Sequence, residues 1–541
     1  MRLINILADS YQIEELTRRN IPKYAILSHT WDEREILFED IVQNASWRNK
    51  KGHEKIEMTC QKAFQAGYSH AWIDTCCINK SSSAELSEAI NSMYQYYQRS
   101  EVCYVYLSDL PASAPLDRAL QHCRWFTRGW TLQDWNERGS KRDLVECLSS
   151  ITGINPEVLL HTENIFSVAV AHRMSWAAGR ETTRIEDIAY CLLGIFDVNM
   201  PLLYGEEHKA FRRLQDEIIK STTDLSIFAW RLPSMTTIAR NLMSRVYSGI
   251  LAKSPGAFSG SASFAKLPTL HQPELLISNV GIATQQLLSK QTGNNSAYSY
   301  VLPLDCSQGP SLLGIALRKC GPDQFIRENP WDFVKYERLE WTNVPKVKYL
   351  LTKLPGEYQF LDPQLSDMSR LIAQTRSYAL RIEYPPDVTI YDAWPRSRFD
   401  DEDKVFFVRG DCTWDSAAIR FITTIDVGPR RDWVRWETMF YAVGWASLDA
   451  GQLWCIIVDY QSHESALSEV QSQVSAWDHD SYRLYRELAN RDIPECSKAL
   501  FIIPGTKCVA ATSFTIALVR DPSICQDQFW NVQLSLDFYE A

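Results

Sequence analysis

The sequence predicts a small parallel α/β sheet with a helical cap, followed by a separate mainly-β domain, and three observations carry that reading. Over the first 110 or so residues, three short apolar runs alternate with amphipathic helical stretches, the pattern of a parallel sheet with right-handed crossovers. Each apolar run stops abruptly in polar side chains, where open α/β sheets place their ligands. Far down the chain the texture changes to short strand-like runs separated by turn residues, which favours an antiparallel sandwich or barrel.

The elements follow in order. Leu3-Ile4-Asn5-Ile6 suits an edge strand, and Glu14-Glu15-Leu16 leads into the first central strand. That strand, Tyr24-Ala25-Ile26-Leu27, is apolar throughout, as a sheet covered on both faces demands. It runs into Ser28, His29, Thr30 and Trp31 and then the acidic loop Asp32-Glu33-Arg34-Glu35. Ile56, Cys60, Ala63 and Phe64 fall on one face of a helix over 54–66, which Gly67 stops. The second strand, Ala71-Trp72-Ile73, delivers Asp74, Thr75, Cys76 and Cys77. Ser82 with Glu85 has capping-box spacing for a helix whose inner face is Leu86, Ile90, Met93, Tyr94 and Tyr97, ending at Arg99. The third strand, 102–107, ends in Ser108 and Asp109.

Downstream, helices are expected over 166–178, from a second capping box at Thr183 and Glu186 through Leu193, and around Phe211, Leu214 and Ile218. Together they form the cap. Residues 1–230 make the first domain, 231–265 a linker marked by the turn-rich stretch 254–261, and 266–541 the β-rich domain. Its strand-like runs include 300–302, 312–317, 348–351, 405–408, 455–458 and 532–536, with 464–490 a helical insertion.

Composition excludes several classes. At 541 residues the chain exceeds one ordinary core, and 45% hydrophobic with 23% charged residues describes a folded globular protein. A net charge of −10 without a Lys/Arg cluster argues against nucleic acid as partner. The 14 cysteines contain no CxxC, and the adjacent pair Cys76-Cys77 would point to opposite faces of a strand, so reduced thiols and a cytoplasmic setting are expected. No run approaches the roughly 18 apolar residues of a membrane span, and neither GxGxxG nor GxxxxGK[ST] occurs, against a dinucleotide or P-loop enzyme.

The three polar strand ends should converge on one crevice of Ser28, His29, Thr30, Trp31, Asp74, Thr75, Ser108 and Asp109. The plainer alternative is that these Ser, Thr and Asp residues cap loops and helix starts. His29 with Cys76 or Cys77 has the composition of a base and thiol nucleophile. A zinc site from His29, His53, His70 and the cysteines lacks the usual ligand spacing. Arg128 with Trp125 and Trp130 suits either an anion clamp beside a stacking platform or a packed structural cluster.

Ala25-Ile26-Leu27-Ser28-His29-Thr30-Trp31, Trp72-Ile73-Asp74-Thr75-Cys76-Cys77-Ile78 and Arg128-Gly129-Trp130-Thr131-Leu132-Gln133 also resemble, in order, the signature blocks of the fungal heterokaryon-incompatibility (HET) domain. The stretch from Met174-Ser175-Trp176-Ala177 through Leu193-Gly194-Ile195-Phe196 to Leu203-Tyr204-Gly205 resembles its closing region, so the likeness covers about 230 residues. It implies a distant relation to the Toll/interleukin-receptor (TIR) fold, hence a TIR- or flavodoxin-like sheet. It further implies an intracellular fungal protein of non-self recognition that triggers growth arrest or programmed cell death, with protein partners and self-association. No resident cofactor is implied; NAD would be a substrate, cleaved at the nicotinamide–ribose bond. Such cleavage passes through an oxocarbenium-like state that a nearby carboxylate stabilises. The family carries a Glu directly after Trp-Thr-Leu-Gln, whereas this chain has Asp134, and the segment from Asp134 to Lys141 reads as one that normally lies a strand further on. Asp32 likewise replaces a Gly. Asp134 and Asp74 are therefore the candidate carboxylates of an impaired activity, and a non-enzymatic interaction module with a degenerate pocket is the competing reading.

Overall fold

The computed structural model describes residues 1–7, 11–17, 20–43, 47–111, 114–115, 119–135, 141–232, 247–268, 274–290, 299–337, 346–353, 378–383, 388–394, 396–407 and the strands 414–426, 433–446, 452–458, 498–502, 508–520 and 528–540. The expected insertion over 464–490 lies outside them.

Five strands form the N-terminal sheet: β1 (Arg2–Asn5), β2 (Gln12–Glu15), β3 (Tyr24–His29), β4 (His70–Trp72) and β5 (Val102–Tyr106), in the order β2-β1-β4-β3-β5. The expected parallel strands are its core: Ala25 of β3 registers with Ala71 on one side and Val102 on the other, both parallel. The sheet as a whole is mixed, because β1 pairs antiparallel with both β2 and β4. The apolar segment expected at the edge is thus internal, with Leu3 and Ile4 fully buried. The half-exposed Gln12–Glu15 takes the edge, where charged side chains discourage further pairing.

Helices α1 (Phe38–Gln43), α2 (His53–Gln65), α3 (Asp74–Cys77) and α4 (Ser83–Arg99) connect these strands. In α2, Ile56, Thr59, Cys60 and Ala63 are buried, but Phe64, expected on that face, is 60% exposed. The next apolar position after Ile56 and Cys60 is Ala63, and one further residue turns the side chain out by about 100°. In α4 the Ser82 hydroxyl accepts from the Glu85 amide at 3.4 Å, while the Glu85 carboxylate turns to Asn79 N (3.0 Å) and Arg2 instead of closing the box. Cys76 and Cys77 sit on the single turn of α3, not on a strand. Trp72, fully buried, meets the edge of Tyr97 from α4, with ring centroids 5.8 Å apart.

The cap is more broken than its sequence suggests. The stretch expected to be helical over 166–178 divides into a 3-10 turn, Ile165–Ser167, and a short helix, Val170–Ser175. That helix is capped from afar: Val170 N donates to Asp224 Oδ2 and Ala171 N to Ser226 Oγ, both at 3.1 Å. The expected capping box at Thr183 also fails. Glu186 accepts instead from the amides of Gly205 (2.6 Å) and Glu207 (3.1 Å), leaving two single turns, Asp187–Tyr190 and Leu193–Phe196. Lys209–Ser221 is the helix its pattern announces, burying Phe211, Leu214 and Ile218.

Beyond the cap the described chain is β-rich, in a ten-stranded, a six-stranded and a four-stranded sheet. Pairing is mostly antiparallel, with parallel exceptions between Gln324–Glu328 and Lys348–Leu350 and between Tyr378–Glu383 and Gln528–Glu540. The ten-stranded sheet shares one apolar core with the cap, where Phe211, Leu214 and Phe228 join Leu302, Ile315, Leu317 and Phe325. Arg327, fully buried in that seam, donates to Phe228 O at 2.9 Å and to Trp230 O, with its guanidinium 4.0 Å from the Trp230 ring. Burial lowers its pKa to about 9. Among the described residues no helix is long and apolar enough to cross a membrane.

Gly194 is where the cap touches α4, since a Cβ there would collide with Tyr94 Cβ and Cγ, which cannot swing away. Gly194→Ala is expected to destabilise the protein by about 1–3 kcal/mol, as overpacking does, read as a lower urea midpoint at unchanged slope; an unchanged midpoint would refute the contact.

Candidate functional site: a crevice beneath Trp31

Because β3, β4 and β5 run parallel, their carboxyl ends open on one rim. The last residue of β3, His29, enters that rim with its side chain 1% exposed, 3.8 Å from Glu35 Oε2 on one side and 3.8 Å from Asp74 Oδ1 on the other. Neither ring nitrogen has a hydrogen-bond partner among the described residues. Burial pushes the His29 pKa down against the pull of the Asp74 and Glu35 carboxylates, so the imidazole is neutral.

Glu35 is fixed from α2. The buried Lys55 ammonium lies 2.6 Å from Glu35 Oε1 and 2.8 Å from Asp32 Oδ2, and donates to Thr30 O at 3.2 Å. The hydrogen bond from Lys55 holds the Asp32 carboxyl below its usual range. Asp74, at the start of α3, accepts from Trp31 Nε1 through Oδ2 at 2.7 Å, while its Oδ1 is buried without a partner among the described residues. The Lys80 ammonium sits 3.3 Å from the centroid of the Trp31 ring, buried and with no hydrogen-bond acceptor among them. Burial pushes its pKa down, against Asp74, Cys76 and Glu35. Arg124 closes the outer side, reaching Trp31 O at 3.3 Å and Asp32 at 3.6 Å, while its amide donates to Asp109 Oδ2 at 2.8 Å.

His29, Trp31 and Asp74 thus come together in one crevice, with Thr30 contributing its carbonyl and Asp109 held at the margin. Ser28 turns inward, where its fully buried hydroxyl accepts from Trp125 Nε1 at 2.7 Å. Thr75 is buried and Ser108 is exposed. Cys76 is fully buried, and hydrogen bonding with Cys77, then burial, drive its pKa well up, the opposite of an activated thiolate. Arg128 and Trp130 face the cap instead, donating to Thr183 Oγ1 at 3.1 Å and Asp187 Oδ2 at 3.3 Å. Asp134 lies in the 3-10 segment Trp130–Trp135, and its side chain is outside the description. His53 and His70, weighed for zinc, have other partners in Lys50 O and Glu14. Among the described residues no group of three metal-ligand side chains occurs. Sequence reasoning missed Glu35 as a site residue, and with it Lys55, Lys80 and Arg124. Lys55 alone left a signal, a cation beside Ile56 at the start of an otherwise apolar face.

A mixed sheet with a polar crevice at its parallel rim defines an α/β domain of the strand-end binding type. The comparisons make this specific: a model of the family "Heterokaryon incompatibility protein (HET)" matches residues 24–117, which carry the whole crevice except Arg124, and a domain of unknown function matches 209–272. The vegetative incompatibility protein HET-E-1 of Podospora anserina is 42% identical over 230 residues, which is 38% of this chain and 17% of that protein. Residues 24–117 therefore carry a heterokaryon-incompatibility (HET) domain, and the chain is similar over part of its length to a fungal protein of that kind. It spans under a fifth of the length of that relative, and no solved structure matches it.

With the His29 imidazole neutral in the fold, its pKa lies below the 6.5 of the unfolded chain. Between those values the unfolded chain binds more protons, so stability falls as pH drops below about 6.5. His172, also pushed down by burial, contributes with the same sign. Urea midpoints near pH 7.5 and pH 5.5 should therefore drop more in the wild type than in His29→Gln; equal drops would mean that His29 is not held neutral.

Proposed function

We propose that this chain acts in vegetative incompatibility, the recognition of non-self between fungal cells, with its HET domain as the signalling element that arrests growth or kills the cell on activation. The observations that carry this are the 42% identity to HET-E-1 over 230 residues and the match of the heterokaryon-incompatibility family to residues 24–117, which bear most of the crevice. A cytoplasmic setting, protein partners and self-association belong to the same proposal.

The chemistry proposed for the crevice is cleavage of NAD at the nicotinamide–ribose bond, on a TIR-like sheet. An oxocarbenium-like transition state wants a carboxylate nearby. Glu35 is neutralised by Lys55 at 2.6 Å, whereas Asp74 keeps one oxygen without a partner among the described residues, which favours Asp74 in that role. The neutral His29 at 3.8 Å from Asp74 suits the acceptance of a proton from the attacking water. A second reading, a signalling module without an enzymatic step, is favoured by Asp134 standing where the family carries Glu.

Purified protein incubated with NAD is expected to release nicotinamide, measured by chromatography, with Asp74→Asn slowing release about a hundredfold or more. Growth arrest on expression in a fungal host, without any nicotinamide release, would select the second reading; neither effect would sink both.

A further inference from the structure

The Trp31 indole occupies the crevice the way a bound ring would. Its Nε1–H donates to Asp74 Oδ2 at 2.7 Å and its face receives the Lys80 ammonium at 3.3 Å. Trp31 nevertheless lies in an irregular loop rather than a strand or helix and is 46% exposed, so lifting its side chain forfeits about half an indole of burial. Arg124 grips only its carbonyl, a contact that survives rotation of the side chain.

Beneath and beside the ring lie four buried polar atoms without partners among the described residues: both nitrogens of His29, Asp74 Oδ1 and Lys80 Nζ. One such atom is ordinary, but each is unfavourable to bury, and four around one partly exposed side chain describe a seat that indole fills incompletely. A ligand with the flatness of indole and a richer polar edge would satisfy them. Asp74 calls for a donor with two hydrogens, such as an exocyclic amino group. The neutral His29 can meet a ring nitrogen. The ammonium of Lys80 over the ring face favours a neutral, electron-rich ring and repels a pyridinium.

We infer that Trp31 is a built-in plug in a seat for a neutral aminopurine of the adenine class, which displaces the indole and takes over its hydrogen bond to Asp74 and its place on Lys80. The inference goes beyond the cleavage reading and competes with it for one seat: adenine held by Asp74 and Lys80 and the cationic nicotinamide ring of NAD would occupy it in turn, never together. It holds whether or not any bond is broken.

Calorimetric titration of the full chain with adenosine, and separately with nicotinamide mononucleotide, whose ring is cationic, tests it. Adenosine should bind at least about tenfold tighter than the mononucleotide. Removing a plug raises the fraction of open seats, so Trp31→Ala should tighten adenosine by up to about tenfold. Trp31→Phe, which keeps the bulk but loses the bond to Asp74, should tighten it less. Asp74→Asn and Lys80→Met should each weaken it about tenfold, the scale of one lost charge-assisted contact. Weaker binding in Trp31→Ala would make Trp31 a stacking platform and overturn the plug. Adenosine binding indifferent to Asp74→Asn, or absent from wild type and both Trp31 variants, would overturn the seat. Nicotinamide release from NAD is scored independently, so either idea can fail alone.

Discussion

The crevice takes its shape from one buried ammonium. Lys55 reaches from α2 to the loop after β3 and binds Thr30 O, Asp32 and Glu35 together. Without it, Glu35, 7% exposed at its side chain, would be an uncompensated buried charge 3.8 Å from His29. Losing one member of such a pair costs about 3–5 kcal/mol, more than a surface bridge contributes. The loop would then have no reason to fold back over His29, and Trp31, its second residue after β3, would have no fixed address. Asp32 thereby acquires a structural role as the second carboxylate on Lys55.

Where local pattern and tertiary demand agreed, the fold was legible. The strand 24–27 follows from its unbroken apolar run, buried on both faces, and the helices α2, α4 and Lys209–Ser221 from periodicity, because each buries one face. What escaped was set at long range. The mostly apolar run Leu3-Ile4-Asn5-Ile6 fits an edge or an interior equally well, and only pairing of Ile4 with Ala71 placed it inside. The helix Val170–Ser175 begins where it does because Asp224 and Ser226 cap it from more than fifty residues away. Glu186 has the spacing of a local cap, yet two amides of a later turn claim it.

The site divides along the same line. Strand-end logic found His29, Trp31 and Asp74, since parallel pairing sends those ends to one rim. It could not tell that Ser28, one residue earlier, faces the opposite side of the pleat, where Trp125 satisfies it in the core. Nor could it find Lys55 and Lys80, whose roles arise from side chains reaching across elements. Arg128 and Trp130 were grouped with Trp125 by proximity in sequence. Folded, Trp125 serves the sheet, while Arg128 and Trp130 serve the cap seam.

How the molecule treats its buried cations separates scaffold from site. Lys319, fully buried, is met by Asp400 at 2.8 Å and Asp403 at 3.0 Å. Arg327 donates to two carbonyls of the seam, and Arg173 and Arg180 likewise donate to Ile195 O and Arg128 O. In each case an oxygen meets part or all of the charge, although Nε of Arg173 and of Arg327 has no partner among the described residues, and the arrangement ties elements together. Lys80 departs from that pattern: its ammonium is buried against an aromatic face with no oxygen partner among the described residues, next to an imidazole and a carboxylate oxygen in the same state. Single buried atoms without a hydrogen-bond partner occur elsewhere too, at Arg173, Trp176, Arg327 and Asp400, but only in the crevice do four of them meet among the described residues, and strain of this kind concentrates where a protein meets its ligand. That contrast, internal to one structure, is the physical reason for reading the Trp31 crevice as a working surface rather than as packing.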